Sequence, residues 1–132
     1  MSAGYSDTPL SERLGLTDGM NVWCDSMPEE IRAEIDEEGL KLTFCDSPDD
    51  AMDVACIFVT CEASLTSKIA DLAECKHSET PVWVSWPGSD SAQETDVDEQ
   101  SVRRVALHHG FIAVEKCAVD ATWSGIKFVT SN

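Results

Sequence analysis

One stretch of the sequence constrains the fold more than any other: Val54-Ala-Cys-Ile-Phe-Val-Thr60 is almost continuously apolar. A run of this length without polar alternation is typical of a parallel strand that helices cover on both faces. A chain of 132 residues can bury about two-thirds of the surface that its unfolded form exposes, which suits one domain. We therefore predict a single α/β domain over residues 1–132.

Helical and extended segments alternate along the rest of the chain. Capping residues, prolines at helix starts, glycines at helix ends and apolar residues at helical spacing predict helices at Thr8–Gly15, Pro28–Glu38, Ser64–Lys76 and Asp96–Gly110. Short apolar segments predict strands at Met20–Cys24, Leu40–Cys45, Val54–Thr60, Thr80–Trp86, Phe111–Val119 and Ile126–Thr130. We expect Asp96, with Glu99 three residues later, to cap the last helix.

This alternation predicts the architecture. Strands that alternate with helices favour a mostly parallel sheet with helices on both faces, and right-handed crossovers leave few topologies. The short joint Asp120–Gly125 predicts that the last two strands are an antiparallel pair. We expect residues 1–7 and the loop from Gly88 to Asp96 to be flexible.

The predicted order is similar to the Rossmann-like sheet of S-adenosylmethionine-dependent methyltransferases with one strand and one helix removed. Several stretches resemble a family of small bacterial proteins to which no activity is assigned: Tyr5–Leu10, Leu14–Leu16, Phe58–Thr60, Val84–Pro87, Cys117–Ser124 and Phe128-Val129. In that family a lysine follows the Trp-Pro pair, whereas Gly88 follows it here. The resemblance implies the fold and assigns no activity.

Composition excludes several classes of protein. Asp and Glu number 25 against nine Lys and Arg, giving a net charge of −16, so the surrounding field repels nucleic-acid phosphates and anionic lipids. No apolar stretch approaches the roughly 18 residues of a membrane span, and no secretion signal is visible. We therefore expect a cytoplasmic protein that binds neither nucleic acid nor membranes, and whose six cysteines are reduced.

The junction between the first strand and the second helix is where nucleotide-binding α/β domains usually keep glycines, but none occurs between Gly19 and Gly39. Met27 and Pro28 fill this place, and Pro28 lacks an N–H group. Glu29 and Glu30 satisfy the positive end of the helix dipole and repel anions. These residues predict that the chain has no cofactor.

Two alternatives keep a site at the carboxyl edge of the sheet. In the first, Cys24, Asp25, Ser26, Asp46 and Cys61 contact an adenosine-type ligand, with Asp46 at the position where Rossmann-type proteins bind a ribose hydroxyl. In the second, the thiols of Cys24, Cys45 and Cys61 act in redox or soft-metal chemistry, although no Cys-x-x-Cys or common zinc spacing occurs. Hydrolase chemistry has no support, because the Gly-x-Ser-x-Gly elbow is missing.

Four tryptophans offer a binding surface. Trp23 and Trp83 lie within predicted strands and are expected in the core. Trp86, beside Pro87, and Trp123 lie at strand ends, where a partly exposed ring can anchor a partner. The function that the sequence favours is therefore a noncatalytic binding or regulatory module whose partner is another protein, with an adenosine-ligand enzyme as the alternative.

Overall fold

Two strands, β3 (Val54–Phe58) and β4 (Val82–Pro87), are buried at every position. The computed structural model describes residues 10–45, 53–74, 80–88, 95–119 and 122–130. The two strands pair in parallel, from Ala55 with Val82 to Phe58 with Ser85. The apolar run that starts at Val54 therefore lies inside the sheet, as predicted.

Within the described residues, helices and strands alternate along the chain. Their order is α1 (Leu10–Arg13), β1 (Asn21–Asp25), α2 (Glu29–Glu37), β2 (Thr43–Cys45), β3, α3 (Glu62–Glu74), β4, α4 (Glu99–His108), β5 (Phe111–Ala118) and β6 (Trp123–Thr130).

The strand order in the sheet is β2-β1-β3-β4-β6-β5. The first four strands are parallel, while β6 runs antiparallel to both β4 and β5. The prediction of a mostly parallel sheet that ends in an antiparallel strand pair is confirmed. The order also matches the methyltransferase-like sheet lacking one strand that the resemblance implied.

Helices cover both faces of the sheet. Leu10 of α1 and Ile31 and Ile35 of α2 pack with Val22 and Phe58 on one face. On the other face, the apolar residues of α3 and α4 pack against the alternate side chains of the central strands, among them Leu65, Ile69, Val102, Ile57 and Val84. Trp83 is 1 % exposed, and its indole N–H donates to the Leu14 carbonyl at 2.8 Å.

Strand β2 is shorter than predicted, because it begins at Thr43 and not at Leu40. The backbone N–H of Lys41 donates to the Asp18 carboxylate, and the Lys41 carbonyl accepts from Gly19 N–H. These bonds join the backbone at Lys41 to the turn before β1, at Asp18 and Gly19. The backbone before Thr43 therefore does not join the strand ladder.

The last strand is longer than predicted, because it begins at Trp123 and not at Ile126. Trp123 to Gly125 pair with the end of β4, where Pro87 stands opposite Trp123. A Cβ atom on Gly125 would lie 3.0 Å from a Val119 methyl carbon and 3.2 Å from Ser85 Oγ. Glycine is therefore required inside the strand at this point, and does not mark a loop.

The predicted cap of α4 is wrong. Asp98, and not Asp96, is the N-cap: its carboxylate accepts from the Ser101 N–H at 2.8 Å, while Ser101 Oγ accepts from the Asp98 N–H at 2.9 Å. Asp96 instead accepts from the N–H of Glu62 at 2.8 Å, at the first residue of α3. This contact explains why α3 begins at Glu62 and not at Ser64.

Some predictions concern residues outside the described ranges: the flexible residues 1–7, the start of the first helix at Thr8, the end of the third helix at Lys76, and residues 89–94 of the predicted loop. In the described part of the chain, no helix combines the length and apolar character needed to cross a bilayer.

Candidate functional site

The end of β1 makes an unusual turn into α2. Ser26 has a φ of 63°, in the left-handed region that residues other than glycine rarely adopt. This conformation costs roughly 1–2 kcal/mol for a residue with a Cβ atom. Pro28 follows as the N-cap of α2 and provides no side-chain cap for the first-turn N–H groups. The junction is therefore strained and incompletely capped by its own residues, which is a common condition at binding sites.

A side chain from a different helix stabilises this turn. Lys68 of α3 donates to Asp25 Oδ1 at 2.8 Å, to Ser26 Oγ at 3.0 Å and to the Phe58 carbonyl at 3.4 Å. The Ser26 hydroxyl donates in turn to Asp25 Oδ1 at 2.9 Å. The Lys68 and Asp25 side chains are 20 % and 30 % exposed, so the pair is partly shielded yet open to a ligand. We call Asp25, Ser26 and Lys68 the polar cluster.

Lys68 is absent from the residues that sequence reasoning proposed. The signal in the sequence that points to Lys68 is that it is the one basic residue of the helix Glu62–Glu74. The sequence does not show that this helix packs with Lys68 above the carboxyl end of β1, since that depends on how β1 and β3 pair. The structure thus joins Lys68 to two of the predicted site residues, Asp25 and Ser26.

Cys24 lies opposite a cysteine that sequence reasoning left out of the site. Cys24 of β1 and Cys56 of β3 are directly registered partners, whereas Cys45 is registered with Trp23. A hydrogen bond from the Cys56 thiol, aided by the nearby Arg32 guanidinium, lowers the pKa of Cys24 although burial opposes the shift. The same hydrogen bond and complete burial raise the pKa of Cys56 well above that of an ordinary thiol.

Cys61 lies beyond the end of β3 and has a different partner. Its thiol is 3.3 Å from Ser64 Oγ. Hydrogen bonds from the Ser64 side chain and backbone N–H stabilise the thiolate and lower the pKa of Cys61. Among the described residues, no group of three His, Cys, Asp or Glu side chains could hold a metal ion, and the Cys45 side chain lies outside this description. Asp46, proposed for the ribose, also lies outside the described residues.

A cleft of about 1050 Å³ lies over the carboxyl ends of β3 and β4, and the residues of the polar cluster do not line it. Its walls come from the ends of these strands, the start of α4 and the antiparallel pair: Thr60, Cys61, Trp86, Pro87, Gly88, Thr95, Asp96, Val97, Asp98, Glu99, Gln100, Lys116 and Ser124. Asp96, Asp98 and Glu99 make one wall acidic, and Lys116 forms an ion pair with Glu99. Such a wall favours ligands that are cationic or rich in hydrogen-bond donors.

The partial exposure expected at the strand-end tryptophans is found at Trp123 but not at Trp86. Trp86 is 3 % exposed and Pro87 is buried, because the end of β4 is still paired with β6. Trp123 is half-buried, and its ring contacts Phe58 edge-on with a centroid distance of 5.2 Å. Whether any of these residues binds a partner stays a prediction, but Trp86 has almost no free surface to offer.

The known proteins that resemble this chain are similar to it in fold. No protein-family model matches the sequence, and no curated protein matches it either. Magnesium protoporphyrin IX methyltransferase from Synechocystis, solved with bound SAH, is similar in structure with a TM-score of 0.58 at 9 % identity, covering 92 % of this chain and 80 % of that chain. A SAM-dependent methyltransferase from Aquifex aeolicus gives 0.57 at 13 % identity, covering 89 % and 85 %.

A third similar structure shows that the same fold serves other chemistry. The [4+2]-cyclase SpnF has a TM-score of 0.55 at 10 % identity, covering 90 % of this chain and 77 % of that chain. At these identities the likeness establishes the fold alone, and function must be argued from the site.

S-adenosylmethionine can be tested against the residues present. Its amino-acid end carries an ammonium and a carboxylate, which are complementary to Asp25 and Lys68 of the polar cluster. Pro28 gives the first-turn N–H groups of α2 no side-chain cap, and this helix starts three residues after Ser26. Met27 and Pro28 are half-buried between Ser26 and α2, while the Lys68 and Asp25 side chains keep 20 % and 30 % of their surface exposed. The residues fit the amino-acid end of this ligand, and the chain has the Rossmann-like fold of the S-adenosylmethionine-dependent methyltransferases, with one strand fewer in its sheet.

Proposed function

We propose that this chain binds an S-adenosylmethionine-type ligand at the carboxyl ends of β1 and β3. The observation that carries the proposal is the polar cluster, where a strained Ser26 and an ion pair from two separate elements meet. The strain is maintained by contacts from another helix, which is expected when the geometry serves binding. The likeness to methyltransferases supports this adenosine-ligand alternative over the noncatalytic module that the sequence favours.

The two charged residues of the polar cluster have roles in this proposal. The Asp25 carboxylate accepts from the ligand ammonium, and the Lys68 ammonium donates to the ligand carboxylate, so the ligand replaces one internal ion pair with two external ones. The N–H group of Ile31 already donates to the Pro28 carbonyl, so the N–H groups of Glu29 and Glu30 are the further donors at the start of α2. S-adenosylmethionine, when bound, supplies an electrophilic methyl group. The cleft over the carboxyl ends of β3 and β4 would then hold the second substrate.

The charge of the chain discriminates among adenosine ligands. A net charge of −16 disfavours ligands with phosphate groups, such as ATP or nicotinamide nucleotides. S-adenosylmethionine has no phosphate and carries a cationic sulfonium, so the same field favours it. Glu29 and Glu30 at the start of α2 strengthen this preference, because they lie where phosphates bind in other nucleotide-binding proteins.

Calorimetric titration of the full chain with S-adenosylmethionine, S-adenosylhomocysteine and ATP tests the proposal. We expect the first two to bind and ATP not to bind. A ligand at a hundred times its dissociation constant should stabilise the fold by about 2.7 kcal/mol and raise the melting temperature by several degrees. Lys68→Met should weaken binding at least about tenfold, because it removes a hydrogen bond to a charged group.

Lys41→Met is the matched control, because Lys41 is exposed, lies on the other side of β1 and has the same charge. It should leave affinity unchanged. Circular dichroism of both variants checks that they are folded. If none of the ligands binds, or if Lys68→Met binds as well as the unchanged protein, the polar cluster is not the site.

The noncatalytic module is the second candidate, because Met27, Pro28 and the two glutamates occupy the space where a glycine turn would admit a cofactor. In this candidate a protein partner contacts the carboxyl edge, with Trp123 as the half-exposed aromatic anchor. Absence of binding by every adenosine ligand favours it. Among the described residues, Cys24, Cys56, Cys61 and Cys117 form no disulfide, which supports the proposal of a cytoplasmic location.

A further inference from the structure

Cys24 and Cys56 are neighbours on the two strands at the middle of the parallel part of the sheet. They are direct Cα partners in the β1–β3 ladder, so their side chains extend from the same face of the sheet, the face covered by α2. Cys56 is 1 % exposed, whereas Cys24 is half-buried near the carboxyl edge. One thiol can therefore meet a small solute, and the other lies behind it.

Because Cys56 lies directly opposite Cys24 in the ladder, its thiol can donate a hydrogen bond to the Cys24 sulfur, which lowers the pKa of Cys24 and raises that of Cys56. Arg32 of α2, whose guanidinium lies 3.6 Å above the centre of the Phe44 ring, adds positive charge on the same side. A cation beside an accessible thiol favours the thiolate, which is the nucleophilic form. The buried Cys56 stays a thiol until its neighbour has reacted.

The ordinary interpretation of such cysteines is that they pack as small hydrophobic residues. Cys56 alone fits that interpretation. The other cysteines have different neighbours: Cys117 is registered with Gly125, Cys45 is registered with Trp23, and Cys61 is hydrogen-bonded to Ser64. Within the described ranges, only Cys24 and Cys56 are registered with each other, and they combine an accessible sulfur, a hydrogen-bonded second sulfur and an adjacent cation.

We propose that Cys24 and Cys56 form a reversible disulfide when the protein meets hydrogen peroxide. The Cys24 thiolate attacks the O–O bond, so that an S–O bond forms, the O–O bond breaks and hydroxide leaves as water after protonation. Cys56 then loses its proton and attacks the Cys24 sulfur, so that the S–S bond forms, the S–O bond breaks and a second water leaves. Two sulfurs are oxidised and one peroxide is reduced.

The geometry of the sheet allows this bond. Neighbouring strands lie about 4.8 Å apart, which falls within the range of about 4.4–6.8 Å between Cα atoms that a disulfide spans. Cys24 is half-buried near the edge of the sheet, so a reducing thiol can reach the bond and reverse it. Asp25 and Ser26 directly follow Cys24, so oxidation takes place next to the polar cluster.

Peptide mapping of the full chain tests the proposal. The reduced protein is treated with one equivalent of hydrogen peroxide, digested without reduction and analysed by mass spectrometry. We expect a Cys24–Cys56 linked peptide, an intact mass lower by two hydrogens, and recovery of the reduced mass with dithiothreitol. Thiols at Cys24 and Cys56 that persist after treatment, or a link from Cys24 to a different cysteine, would overturn the proposal.

Variants separate the two steps. Cys56→Ala should stop the reaction at a Cys24 sulfenic acid, which dimedone labels, and Cys24→Ser should prevent both label and link. Cys61→Ser and Cys117→Ser are controls and should retain the link. If Cys56→Ala does not fold, mapping of the unchanged protein still decides. The readout involves no ligand, so failure of this proposal and failure of the proposed ligand binding are separate outcomes.

Discussion

The starts of helices α2 and α4 are stabilised in different ways. At the start of α4, Asp98 and Ser101 satisfy each other's backbone N–H groups, and Thr95 Oγ1 donates to the Thr60 carbonyl at 2.8 Å. At the start of α2, Pro28 offers no side-chain cap and Ser26 is held in a left-handed conformation. The start of α4 is capped by its own residues, whereas the turn before α2 depends on Lys68 of α3.

This difference indicates where a ligand can contribute. A backbone donor that a local side chain already satisfies gains little from a ligand, but an uncapped helix start gains a partner. The start of α4 is therefore a capped wall of the cleft, and the turn from β1 into α2 is the place where a ligand can add hydrogen bonds.

The largest effect is expected at the end of β4, beneath the cleft. Trp86→Ala should destabilise the fold by about 3–5 kcal/mol, because it removes a ring that is 3 % exposed and leaves a cavity at the end of β4. Urea unfolding monitored by circular dichroism measures the change. An unaltered midpoint would mean that Trp86 is exposed in solution, and the partner-anchor interpretation of this residue would return.

The second prediction concerns the cap of α4. Asp98→Ala should lower the unfolding midpoint at neutral pH, because the helix loses its reciprocal cap. Hydrogen bonds from the Ser101 backbone and side chain lower the pKa of Asp98, so its stabilisation is present above the unfolded pKa of about 3.9 and is lost as pH falls through the folded pKa. The difference between variant and parent should therefore shrink in acid.

Glu37→Ala is the control for removing one exposed negative charge, since Glu37 is exposed and lies in the last turn of α2, on the opposite face of the sheet from α4. A pH profile for Asp98→Ala that matches this control would show that net charge, and not the cap, is responsible.

The third prediction adds a side-chain cap at the start of α2, where Pro28 provides none. Pro28→Ser should be more stable than Pro28→Ala by about 1 kcal/mol, because both lose the proline but only serine caps the first turn of α2. If the proposed function is correct, Pro28→Ser should also bind S-adenosylmethionine more weakly than Pro28→Ala. The serine hydroxyl would accept hydrogen bonds from first-turn N–H groups of α2 that the ligand would otherwise use. Equal stability of the two variants would mean that these groups are already satisfied.

The smallest effect is expected from relieving the strain at Ser26. Ser26→Gly should be more stable than Ser26→Ala by about 0.5 kcal/mol, because the left-handed penalty of a Cβ atom exceeds the extra freedom of glycine in the unfolded chain. Both variants lose the hydroxyl, so the contacts to Asp25 and Lys68 cancel in the comparison. Denaturant midpoints of the two variants measure the difference, and the opposite order would show that the turn is not strained.

Local patterns predicted the architecture well because each strand and helix carries its own signal. The apolar run of β3 and the apolar spacing of α3 at Leu65, Ile69 and Leu72 needed no knowledge of their neighbours. The predicted element boundaries were wrong where the backbone hydrogen-bonds to another segment, as at Lys41. They were also wrong where two acids were candidates for one helix cap, as at Asp96 and Asp98.

The candidate site was harder to predict for the same reason. Cys24, Asp25 and Ser26 were found because they follow a strand, which is a local property. Lys68 and Cys56 were missed because their relevance depends on the β1–β3 register and on the packing of α3 over that pair. A shift of one residue in this register would turn Cys56 to the other face of the sheet.

The sequence by itself determined the class of fold, the burial of the central strands, the acidic field and the absence of a glycine turn, because each of these follows from composition or from residues close together in the chain. Only the tertiary structure decided which distant side chains meet: Lys68 at the end of β1, Cys56 beside Cys24, and a buried Trp86 beneath the cleft. Those contacts depend on strand register and helix packing, which arise from the sum of many weak apolar contacts across the whole domain and not from any short segment.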